Sequence, residues 1–78
     1  MKNKKKYKYI LNLNGLKCPD PIIQIRKSIN KIKKKEKILV ITDDFSTKRE
    51  IKIFCRIMNH ILLEIDTIHI PYKYIIEK

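Results

Sequence analysis

The cysteines and histidines of this sequence, which could act as nucleophile, metal ligand or general base, are Cys18, Cys55, His60 and His69. A metal site would need them to converge. They are separated by 36, 4 and 8 residues, with no close C-x-x-C or H-x-x-H pair, so the spacing argues against zinc. Asp43 and Asp44 are adjacent and cannot face each other as an acid/base pair; they read as turn and helix-capping residues. Gly15 is the single glycine, which excludes both the phosphate-cradling P-loop and the dinucleotide fingerprint.

Cys18 stands out by its setting, Leu16-Lys17-Cys18-Pro19-Asp20-Pro21, between a glycine turn and the start of a helix. At a helix start, free backbone N–H groups and the positive end of the dipole favour a thiolate. Lys17 adds positive charge, Asp20 opposes it somewhat, and the two prolines stiffen the loop. A cysteine taken at random is more often a small apolar residue under a loop; here the helix start and the Cys-Pro-x-Pro context favour a presented thiol. Cys55 falls on an apolar helical stripe with Ile51 and Met58 and reads as core. Neither histidine is near Cys18 in sequence to serve as a hydrolytic base. A second thiol for a dithiol redox site is also missing nearby. A single activated thiol can accept a group and pass it on, and sulfur held as a persulfide suits that chemistry.

The elements that must position Cys18 can be read from periodicity. Tyr7, Tyr9, Leu11 and Leu13 alternate as a half-buried strand, ended by Asn14-Gly15. Ile22, Ile25, Ile29 and Ile32 mark one face of a helix from about Pro21 to Lys34, with Lys33, Lys34 and Lys35 in its last turn. Ile38 to Ile41 is a continuous apolar run, as in a central strand covered by helices. Thr47-Lys48-Arg49-Glu50 has capping-box spacing, and Ile51, Phe54, Cys55 and Met58 continue a second helix to about Asn59. Two strands follow, with Ile61, Leu63 and Ile65 alternating in one and Tyr72, Tyr74 and Ile76 in the other. The order βαβαββ, with right-handed crossovers, gives a two-layer α/β (α+β) sandwich: a four-stranded mixed sheet with both helices on one face. Residues 1–6 are expected to be a basic flexible leader and residues 7–78 a single domain.

The chain has 78 residues and a formal net charge of +11. Lysine occurs 16 times and isoleucine 17, while alanine is absent, a pattern that suggests AT-rich coding as one source of the basicity. The other source would be an anionic partner. No stretch approaches the length of a membrane span, the start lacks a secretory cleavage site, and two cysteines make no disulfide framework. The expected compartment is the cytoplasm.

The sequence resembles the TusA (SirA-like) family of sulfur-carrier proteins from Leu11 to Lys78. Gly15-Leu16-Lys17-Cys18-Pro19-Asp20-Pro21 fits that family's G-x-x-C-P-x-P signature. Arg26-Lys27, Asp43-Asp44 with Thr47 and Arg49-Glu50-Ile51, Phe54-Cys55 and Pro71-Tyr72-x-Tyr74 fall in further family blocks, in order. Phe45 departs from the proline usual after the two aspartates, and Ile68-His69-Ile70 stands where a glycine turn is common.

The resemblance implies a sulfurtransferase whose Cys18 carries persulfide sulfur. Gly15, Pro19, Asp20 and Pro21 would shape its loop, and Lys17, Arg26 and Lys27 would help dock partners. It implies an IscS-like cysteine desulfurase as donor and a TusBCD-like relay complex as acceptor, feeding 2-thiolation of the tRNA wobble uridine. No bound cofactor is expected, because pyridoxal phosphate belongs to the donor, and direct tRNA binding is not expected. The rival reading is a basic RNA-binding α/β module with Tyr7, Tyr9, Tyr72 and Tyr74 stacking bases. A redox protein cycling Cys18 with Cys55 ranks behind both.

Overall fold

A computed structural model describes residues 7–17 and 19–78. Residues 1–6, expected as a leader, and Cys18 itself lie outside the described residues. The elements are β1 (Tyr9–Asn12), α1 (Asp20–Lys31), β2 (Lys37–Thr42), α2 (Thr47–Ile57), β3 (Ile61–Asp66) and β4 (Tyr72–Glu77), in the βαβαββ order the sequence predicts. The strands form one mixed sheet in the order β1-β2-β4-β3. β1 and β2 are parallel, and β4 runs antiparallel to both β2 and β3. The fold is α+β, a two-layer sandwich of sheet and helices.

Residues paired across strands share a face. One row therefore runs Leu11–Val40–Tyr74–Ile65, and another runs Tyr9–Ile38–Ile76–Leu62. Against this face pack Ile25 and Ile29 of α1 and Ile51, Phe54 and Cys55 of α2, which join Leu13, Ile38, Val40, Tyr74 and Ile76 in one buried cluster. β2 alternates half-buried and buried residues, so helices cover one face only. Both helices thus lie on one face, as the crossover argument predicts, and Leu39 and Ile41 lie on the open face, half-buried by neighbouring strands.

Element ends differ from expectation for local reasons. α1 ends at Lys31, because Ile32 is already extended, and Lys33, Lys34 and Lys35 form the turn that follows. Glu36 Oε1 accepts the Lys33 N–H at 2.7 Å and fixes that turn, while Lys35 takes a φ of 74°. The Lys78 ammonium donates to the Ile32 carbonyl at 2.8 Å and caps the helix from across the fold. The capping box of Thr47 and Glu50 is not formed. Ser46 is the N-cap, without a side-chain cap hydrogen bond, and Thr47 is the first helical residue, fully buried. Met58, expected on the apolar face, follows the end of α2 and is exposed. In β3 a bulge at Leu63 shifts the register between Leu62 and Glu64. Leu62 and Ile65 therefore share the helix side with Ile76 and Tyr74, and the expected alternation of Ile61, Leu63 and Ile65 is broken.

Candidate functional site

Because β1 and β2 are parallel, the two strand-to-helix loops, 13–19 and 43–46, open at the same end of the sheet. The first carries the Gly15–Pro21 motif. Leu13 continues the β1–β2 ladder by donating its N–H to the Ile41 carbonyl at 2.6 Å, and its side chain is buried. The Asn12 side chain accepts the Asn14 N–H at 3.0 Å, and Leu16 N–H returns to the Leu13 carbonyl at 3.1 Å. Gly15 has a φ of 90°, in the region that L side chains rarely adopt, although a Cβ there would meet nothing within 4 Å. The glycine is required by backbone conformation and not by lack of room.

Asp43 ties the two loops together. Its Oδ1 accepts the Gly15 N–H at 3.1 Å, across 28 residues of sequence. The sequence reading took Asp43 and Asp44 alike as turn and capping residues. Asp44 does fill that role, accepting the Ser46 N–H at 3.1 Å and hydroxyl at 2.8 Å, whereas Asp43 reaches into the motif loop. The available signal was positional: an acid directly after the strand that pairs with the one leading to the lone glycine.

α1 starts within the motif, with Pro19 at the N-cap, Asp20 in the first turn and a proline among the first helical residues. Asp20 N–H donates to the Lys17 carbonyl at 2.9 Å. Lys17, Pro19 and Asp20 are exposed, and Pro21 is buried. The loop is thus anchored at both ends, by Leu13 on one side and Pro21 on the other, with polar residues and a proline at its tip. Arg26 and Lys27 are both exposed on α1.

Cys55 is 4% exposed inside the core cluster, and burial pushes its thiol from the ordinary 9.0 up to about 11. Such a group stays protonated and unreactive near neutrality. Among the described residues, no three of the Cys, His, Asp and Glu side chains gather as a metal ion would require, and no helix is long and apolar enough to cross a membrane. His60 packs beside the Phe54 ring, and His69 pairs with Asp66 in the loop after β3. Of the four tyrosines that a base-stacking surface would use, Tyr74 is 0% exposed, Tyr7 and Tyr72 are half-buried, and Tyr9 alone is exposed.

The βαβαββ order, with the motif loop at the start of α1, agrees with the comparison to known families. The family described as "Sulfurtransferase TusA" matches residues 9–78. The chain belongs to that family, whose members are sulfurtransferases and sulfur carriers working in relay with other proteins.

Proposed function

We propose that this chain is a sulfur carrier that holds sulfane sulfur as a persulfide on Cys18. The Cys18 thiolate attacks the terminal sulfur of a persulfide on a cysteine desulfurase. The donor's S–S bond breaks, its electron pair stays on the donor cysteine as a thiolate, and a new S–S bond forms on Cys18. An acceptor protein's thiolate repeats the exchange and returns Cys18 to the thiolate. No electrons are gained or lost overall, so neither metal nor redox cofactor takes part. Gly15, Pro19, Asp20 and Pro21 shape the loop, and Lys17, Arg26 and Lys27 face incoming acidic surfaces. Residues 7–78 act as one carrier domain behind the 1–6 leader, in the cytoplasm. The acceptor is a TusBCD-like relay that leads to 2-thiolation of the tRNA wobble uridine.

The observation that carries this reading is the Gly15–Pro21 motif within a family match over nearly the whole chain. Its loop being fastened by Asp43 supports it. The test is incubation of the reduced chain with an active cysteine desulfurase and free cysteine, followed by intact mass and peptide mapping. The expected result is a gain of about 32 Da, one sulfur, on the Cys18 peptide, reversed by reductant and absent in Cys18→Ser. No gain, or a gain on the Cys55 peptide, would overturn it.

A further inference from the structure

The outer side of α2 carries a groove that the carrier chemistry does not use. It has a volume of about 740 Å³ and is lined by Phe45, Lys48, Arg49, Lys52, Ile53 and Arg56, with Ser46 at its head. Lys48, Lys52 and Arg56 form one i, i+4 row and Arg49 and Ile53 the adjacent one, with Phe45 of the preceding turn lining the same groove. The floor is apolar and open to solvent, with Phe45 60% and Ile53 45% exposed.

Part of this charge opposes the helix it sits on, although Glu50 in the first turn and Arg56 in the last suit the dipole. Like charges at i, i+4 destabilise a helix, and Lys48 and Arg49 occupy the first turn, where the dipole is already positive. None of the four cations forms an ion pair with a carboxylate among the described residues. The two rows are thus placed to meet an anionic surface. Phe45 is held in place, edge to face with Tyr72 at 5.7 Å, and the Lys48 ammonium stands 5.9 Å from its ring centroid.

We propose that this groove docks an acidic, amphipathic segment of a partner protein, with carboxylates on the cationic rows and apolar side chains on Phe45 and Ile53. One feature favours polypeptide over RNA: the Ile53 floor offers an apolar contact that a sugar–phosphate backbone cannot use. The inference concerns recognition and not transfer, so it stands whether or not Cys18 carries sulfur.

The test uses the full chain carrying Cys18→Ser, so that no sulfur chemistry enters. A fluorescent synthetic peptide of Glu and Leu at helical spacing is titrated by anisotropy, beside a scrambled peptide of the same composition and an oligouridylate. The amphipathic peptide should bind tightest. Lys52→Glu with Arg56→Glu should weaken it at least ~10-fold, while Lys34→Glu with Lys73→Glu, the same change in net charge placed elsewhere, should stay within about twofold. Ile53→Ser, at an exposed position that does not threaten folding, should also weaken it several-fold. Circular dichroism checks that each variant is folded. Equal losses from the two charge pairs, or no loss with Ile53→Ser, would reduce the groove to long-range attraction and overturn the proposal. Tighter binding of the oligouridylate with the same variant sensitivity would overturn it in favour of RNA.

Discussion

Native-state thiol reactivity offers a quantitative separation of the two cysteines, and Cys18→Ser isolates the informative one. Burial lifts the Cys55 thiol from 9.0 to about 11. Near pH 8 that leaves ~0.1% thiolate, against ~10% for an unperturbed thiol, a ~100-fold deficit in the reactive form. A more basic thiolate is also the better nucleophile. With a Brønsted slope near 0.4–0.5, two pK units return roughly tenfold toward a disulfide reagent. Ionisation alone then slows Cys55 about tenfold, and 4% exposure adds a further barrier, because the reagent must wait for the core to open. In Cys18→Ser, the reaction with an aromatic disulfide should therefore be at least ~10-fold slower in the native chain than in denaturant at the same pH. The unmodified chain should show one faster-reacting thiol, which peptide mapping assigns to Cys18. A native Cys55 rate within threefold of the denatured rate, with circular dichroism showing a folded chain, would refute the reasoning (threefold being well inside the ~10-fold expectation).

Asp43→Ala removes the acceptor of the Gly15 N–H and should cost about 0.5–1.5 kcal/mol. Melting should fall by roughly 4–8 °C per kcal/mol, and the rate of sulfur loading should drop with it, while Asp43→Asn, which keeps a carbonyl oxygen, should lose less. Tyr74→Phe deletes a buried hydroxyl that has no hydrogen-bond partner among the described residues, so denaturant titration should find stability unchanged or higher by up to ~1 kcal/mol. A loss larger than that would show that the hydroxyl is bonded. His60 is held below its ordinary value of 6.5, first by burial and then by the Lys78 charge. The folded chain thus favours the neutral ring and binds fewer protons than the unfolded one. Its contribution is intact above pH 6.5 and is lost as pH falls through the depressed value. Melting curves taken across that range should flatten in His60→Gln.

Much of the architecture could be read from spacing because each helix buries one stripe and the strands alternate. Ile25, Ile29, Ile51 and Phe54 are buried as their periodicity requires. The misses come from interactions that periodicity does not encode. The bulge at Leu63 reverses which side of β3 faces the helices, and no local residue type announces it. α1 stops early because Glu36, from beyond the helix, captures the Lys33 N–H. The Gly15–Pro21 motif was legible as a loop entering a helix, but the hand of Asp43 on Gly15 is a contact across 28 residues, visible only once β1 and β2 lie side by side. The groove on α2 was hidden for another reason: a count of lysines does not say which of them share a helix face with Phe45 and Ile53.

The irregular edge formed by β3 bears on how this chain behaves among copies of itself. An edge strand offers unpaired backbone donors and acceptors on which another chain could zip, and apolar Ile61, Leu63 and Ile65 would encourage that aggregation. The bulge at Leu63 breaks the donor–acceptor rhythm midway, so no intruding strand finds a long regular run. Glu64 and Asp66 place negative charge along the same edge, where an identical edge would bring more of it. The irregularity that sets the register of β3 thus also guards the open edge of the sheet against a second copy of the chain.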